Sequence, residues 1–141
     1  MLSYSYLMSA TGPGNGHYVE LPETKFMAVL RLLLERVEVD EAWYRETYPD
    51  VDVAIRAGKL KSSHDHYIRA GYFENRLPRP IKVDERWYLE EYPDVAAAIE
   101  RGAFSSASQH FESDGFREGR LPSRNWSLIG SATRTPQLMD A

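Results

Sequence analysis

Between Pro22 and Val37, apolar side chains fall at Phe26, Val29, Leu30, Leu33 and Val37, the spacing of one face of an α-helix. Pro22 suits a first helical turn, Glu23 lies near the positive end of the helix dipole, and Arg36 lies near the other end. Met27, Leu32 and Leu34 widen the apolar surface beyond one stripe. A helix over 21–38 is therefore expected to be largely covered, by the chain's own core or by a partner. Farther along, the apolar clusters become shorter and more closely punctuated. Asp40 is a good N-cap for a helix carrying Trp43 and Tyr44, with Val39 and Tyr44 placed as a hydrophobic staple. That helix must stop at Tyr48, because the residue before a proline is pushed out of the helical region. Val51, Ala54 and Ile55 form the face of a second helix, with Asp50 its expected N-cap and Gly58 its breaker. Ser62, with Asp65 three residues on, opens a third, which Gly71 is expected to end before the chain leaves through Arg76-Leu-Pro78.

The whole pattern then returns. Residues 39–78 and 83–122 align without a gap and agree at 20 of 40 positions. A fixed internal period means that one supersecondary unit has been used twice. The expected architecture is all-α: one amphipathic helix, then two tandem repeats of three short helices. The linker Arg79-Pro-Ile-Lys82 is too short to separate them. Outside the repeats lie a nearly chargeless arm over 1–20 and a tail over 123–141. In the arm, Ser3, Tyr4, Ser5 and Tyr6 alternate as a short strand would, before the loop Thr11-Gly-Pro-Gly-Asn-Gly16. The arm is thus read as non-helical. The tail loses helical periodicity, but Trp126, Leu128 and Ile129 are costly to leave in water, so its first part is expected to dock while 131–141 is a loose end.

Composition narrows the classes of function. A net charge of −4 supplies no basic footprint for nucleic acid. The absence of cysteine removes disulfides and thiolate metal sites, and fits a reducing compartment. The first residues carry no basic group, a poor match to a signal peptide, and no stretch has the apolar length of a membrane span. The expected location is the cytoplasm.

The shared sequence, Trp-Tyr-x-x-x-Tyr-Pro-Asp-Val-x-x-Ala-Ile followed by Gly, Ser, His-Tyr/Phe, Gly and Glu-x-Arg-Leu-Pro, resembles a short helical repeat of bacterial proteins. Such repeats occur beside glycosyltransferase domains in surface-polysaccharide biosynthesis and in some secreted calcium-binding repeat proteins. The resemblance covers 39–78 and 83–122 and implies an accessory or recognition module working near envelope polysaccharide. Two departures matter. Asn75 stands where the second copy has Gly119, and the glycine- and aspartate-rich repeats of the secreted branch are missing.

Several residues could carry chemistry. His66 and His110 could serve as general bases if a carboxylate oriented them. Their duplication favours a structural role, since structural positions recur in every repeat and active sites seldom do. His64-Asp65-His66 lacks the i, i+4 spacing of helical metal sites, and Ser108 replaces His64 in the second copy. No metal or cofactor is expected. Trp43, Tyr48, Trp87 and Tyr92 could stack on sugar rings, and Arg76 and Arg120 could clamp an anion, although a small helical unit also needs aromatics for its core. Phe26, Leu30, Leu33, Leu34 and Trp126 are the candidate interface residues. The leading expectation is a non-enzymatic module that binds a protein partner or a second copy of itself. A glycan-binding module is the second, and a small hydrolase or transferase using His66 or His110 the third.

Overall fold

The computed structural model describes residues 1–9 and 19–129, and every regular element among them is helical. In chain order these are α1 (Tyr4–Ser9), α2 (Glu23–Leu34), α3 (Glu41–Thr47), α4 (Pro49–Arg56) and α5 (Ser63–His66), which runs into a π-helical turn, π1 (Tyr67–Gly71). The second repeat follows as α6 (Glu85–Glu91), α7 (Pro93–Glu100), α8 (Ala107–His110) and π2 (Phe111–Gly115). The glycine-rich loop at 11–16 and the tail over 131–141 fall outside the described residues.

Both repeats are built by the same local chemistry. The Asp40 carboxylate accepts the Trp43 N–H at 3.0 Å and the Asp84 carboxylate accepts the Trp87 N–H at 3.1 Å, capping α3 and α6. Ser62 and Ser106 cap α5 and α8 by accepting the N–H groups of Asp65 and Gln109. Tyr48 and Tyr92 leave the helical region, at φ −121° and −119°, as their following prolines require. Each repeat then closes on itself. The Asp40 N–H donates to the Pro78 carbonyl at 3.0 Å, and the Asp84 N–H to that of Pro122 at 2.9 Å.

The third helix of each repeat ends at Gly71 and Gly115 as expected, but it reaches each glycine in a π turn, with Tyr72 N–H donating to Tyr67 O and Phe116 N–H to Phe111 O, both at 3.0 Å. A π turn holds more residues than an α turn, so side chains five apart come to share a face. Tyr67 and Tyr72 are thereby both buried, as are Phe111 and Phe116. Their rings meet edge to face at 6.3 and 6.2 Å. The chain reverses only at Asn75 and Gly119, which occupy the same left-handed conformation at φ 58° and 79°. Asparagine tolerates that region better than most residues, so the apparent departure at Asn75 preserves the backbone. Asp50 and Asp94, in contrast, are not the expected N-caps. Pro49 and Pro93 take the first helical position, and the aspartates turn to arginines described below.

The arm is helical where a strand-like alternation suggested otherwise. Six residues are too few for a stable helix alone, and α1 is held from outside. Asn75 Oδ1 accepts the Ser5 N–H at 3.2 Å, the Tyr72 hydroxyl donates to Leu2 O at 2.6 Å, and the buried Ser3 hydroxyl donates to Arg117 O at 3.2 Å. Tyr6 lies over Gly119, at the same register position as Asn75 in the other repeat. The arm therefore bridges the two repeats. The first part of the tail packs as expected: Leu128 is fully buried, and Trp126 meets Phe111 edge-on at 6.3 Å.

α2 packs on π1 with a face rotated from the expected stripe. Leu30, Leu34 and Val37 point into the core, while Val29, Leu32 and Leu33 are 52%, 67% and 44% exposed. Arg31 supports this roll: its guanidinium stacks over Phe73 at 5.0 Å and donates to Arg69 O.

Candidate functional site

Most of the duplicated polar and aromatic residues converge inside each repeat. Tyr44 and His66 Nδ1 share a hydrogen bond of 3.0 Å, and Tyr88 and His110 Nδ1 one of 2.9 Å. The tyrosine hydroxyl in each pair sits over the π-turn glycine, close enough that a Cβ on Gly71 or Gly115 would meet it. This explains the two glycines. They admit a hydroxyl against the backbone, which no side chain at that position allows.

The second network joins the middle of each repeat to its exit. Arg76 binds both carboxylate oxygens of Asp50 at 2.9 and 2.8 Å, and Arg120 binds those of Asp94 at 2.9 and 2.6 Å. The same guanidinium groups pair with Glu74 and Glu118, and stack over Tyr48 and Tyr92 at 4.8 and 4.9 Å. The tyrosine oxygens accept the N–H groups of Leu77 and Leu121, each at 2.9 Å. A planar, bidentate, stacked arginine is fully engaged by this geometry. Trp43 and Trp87 are half-buried, edge-on to Tyr48 and Tyr92 at 6.1 Å.

Electrostatics follow from these contacts. The arginine partners hold the Asp50 and Asp94 carboxyls below their ordinary values. Burial, with the neighbouring arginines, pushes both imidazoles down, so they favour the neutral form. Burial raises the Tyr44 and Tyr88 hydroxyls, which stay protonated. Glu41 would be raised by its own burial, but the Ser63 and His64 N–H groups that it accepts lower it overall.

The candidate binding residues have partners within the chain. Arg76 and Arg120 hold their own chain's aspartates, the oxygens of Tyr48 and Tyr92 are bound by backbone, and His110 is only 5% exposed. His66 is half-buried in the equivalent bond. In His64-Asp65-His66 the last two side chains go to different partners: Asp65 pairs with Arg69 at 2.9 Å while His66 meets Tyr44. Among the described residues no group of three or more acids and histidines is placed to hold a metal ion. Leu30 and Leu34 are buried in the chain's own core and cannot face a partner, and Phe26 packs partly against Tyr4. Leu33 remains exposed, joined by Val29 and Leu32, which the helical stripe had not set apart.

Glu41 and Glu85 are legible in the sequence only as acids at the electropositive start of α3 and α6, not as links to the third helix. Each carboxylate accepts two successive N–H groups at the start of the third helix, Ser63 and His64 in one repeat and Ala107 and Ser108 in the other. Their identity in both copies was the available signal. No known family, curated protein or solved structure matches this chain. Among the described residues no helix is long and apolar enough to cross a membrane.

Proposed function

We propose that this chain is a non-enzymatic protein-interaction module whose partner docks on the outer face of α2. The observation that carries this is the exposure of Val29, Leu32 and Leu33 together on one side of a helix whose other side is buried. Single exposed apolar residues are ordinary; three adjoining ones on a rigid helix make a surface suited to a protein. The duplicated residues with catalytic or glycan-binding potential support the same reading, since their polar groups are engaged within each repeat. The partner is a second copy of the chain or another protein. The repeat's resemblance to sequences beside glycosyltransferase domains is the support for a role near bacterial polysaccharide or envelope biosynthesis.

The test is affinity capture from the source cells with the wild-type chain and with L32E/L33E, read by mass spectrometry and by light scattering for self-association. Both leucines are exposed, so circular dichroism and the melting curve should be unchanged. The expected result is one stoichiometric partner, or a dimer, present with wild type and lost with the variant. A monomer that captures the same proteins in both forms would refute the role given to α2.

A further inference from the structure

We propose that the groove between the inter-repeat linker and the start of the tail binds an acidic sugar, its carboxylate held by the linker cations and its ring face laid on the Trp126 indole. The groove is open to solvent and offers about 790 Å³, within the size range of small-ligand sites. Ile81 and Val83 lie at its base, nearly buried at 8% and 7% exposure, beneath a mainly polar lining. The half-buried Trp126 lines it, held edge-on against Phe111, and Arg79, Lys82 and Arg86 supply its positive charge.

The two acids of the groove are exposed, but backbone N–H groups engage their carboxylates. Asp84 accepts the Trp87 N–H, and Glu85 accepts the N–H groups of Ala107 and Ser108 at 3.0 and 3.1 Å. The cations are more available. Arg79 uses one guanidinium nitrogen on Glu38 O at 2.9 Å, Lys82 forms no ion pair with any described residue, and Arg86 meets Glu90 on the surface, where such a pair is weak. An indole beside cations suits a ligand with an apolar ring face and an anionic edge.

The duplication supplies an independent argument. One repeat earlier, the positions of Arg79, Lys82, Arg86 and Trp126 are held by Glu35, Glu38, Ala42 and Lys82. The first copy therefore has two acids, no aromatic and one cation where the second has three cations and an indole. A feature needed to fold the repeat would recur in both, as the tyrosine–histidine and arginine–aspartate networks do. This one belongs to the second copy alone.

The experiment is a titration of the full chain, labelled with nitrogen-15, with glucuronate, glucose and inorganic phosphate at constant ionic strength. Glucuronate should shift the Trp126 indole N–H and the Lys82 amide together and saturably. Glucose should bind at least about tenfold more weakly, equivalent to about 1.4 kcal/mol, and phosphate should leave the indole signal in place. Lys82→Glu, at an exposed position without an ion pair, should weaken glucuronate by about tenfold or more with the spectrum otherwise intact. Trp126→Leu, which keeps an apolar cover on Phe111, should lose the response at Lys82. Equal responses to glucose, equal indole shifts with phosphate, an unaffected Lys82→Glu, or no saturable shift with glucuronate would each overturn the assignment.

Discussion

The first and second repeats share one frame and differ in what is attached to it. Asp40 and Asp84, Tyr44 and Tyr88, Asp50 and Asp94, Arg76 and Arg120 make matching bonds at nearly matching distances. Other paired positions diverge. Asn75 accepts a hydrogen bond from α1 where Gly119 receives the Tyr6 ring, so one short helix makes different use of two equivalent corners. Tyr72 donates to Leu2 O where Phe116 has no hydroxyl to offer. His110 is further enclosed by Phe104, ring to ring at 4.8 Å, at a position where the first repeat has Leu60. What the copies share marks the requirements of folding. What they do not share marks contacts with the rest of the chain, and the groove at Trp126.

The severest way to break the likeness is Gly71→Ala or Gly115→Ala. The new methyl would occupy the place of the Tyr44 or Tyr88 hydroxyl, and the neighbouring ring cannot swing away inside a packed core. Overpacking of this kind costs about 1–3 kcal/mol, and the hydrogen bond to histidine is lost with it. Urea denaturation should show a comparable loss at either site. Tyr44→Phe combined with Gly71→Ala should recover part of it, because removing the hydroxyl makes room for the methyl. An unchanged midpoint in Gly71→Ala would refute the account of the π-turn glycine.

A smaller effect of opposite sign is expected at Tyr67. Its hydroxyl is buried without a hydrogen-bond partner among the described residues, whereas the second repeat places Phe111 there. Leaving a buried hydroxyl unpaired costs about 1–3 kcal/mol. Tyr67→Phe should thus stabilise the chain by about 1 kcal/mol, read as a higher urea midpoint with an unchanged slope. It makes the two repeats more alike. A destabilised variant would mean that the hydroxyl is satisfied, and the comparison at this position would fail.

The gentlest probe is pH. Both histidines have folded values below the ordinary 6.5 because burial disfavours their charged form. The unfolded chain therefore takes up these protons first as pH falls. Stability is fully present above about 6.5 and declines below it, until the folded imidazoles protonate in turn. The lowered Asp50 and Asp94 carboxyls add a separate loss at more acid pH, below the carboxylate's ordinary 3.8. Denaturation midpoints should fall between about pH 7.5 and 5, and H66N/H110N should flatten that fall. An equally steep decline in the variant would assign the effect to other groups.

Much of this molecule could be read along the chain. Capping aspartates and serines, and a proline that stops one helix and starts the next, act over four or five residues and need no tertiary partner. The duplication made them more secure, since each signal was seen twice. What is not legible along the chain is a role that depends on something distant. Gly71 ends its helix as glycine often does, yet nothing nearby reveals that Tyr44 will press on it. Asp50 looks like a cap because its partner, Arg76, lies 26 positions away. The roll of α2 is not legible because alternative apolar stripes of similar width exist on that helix, and distant contacts, Arg31 on Phe73 and Tyr4 on Phe26 and Glu23, accompany the one observed.

The sequence by itself determined the all-α class, the two-copy frame and the ends of most helices, because these follow from local backbone preferences and short-range hydrogen bonds. Only the tertiary structure decided that 4–9 would be a helix, since a single turn and a half cannot offset its own ordering entropy without the bonds that both repeats provide. It also decided which leucines of α2 are exposed, and that the linker and tail line a groove. Those outcomes depend on surfaces brought together from opposite ends of the chain, which no local pattern encodes.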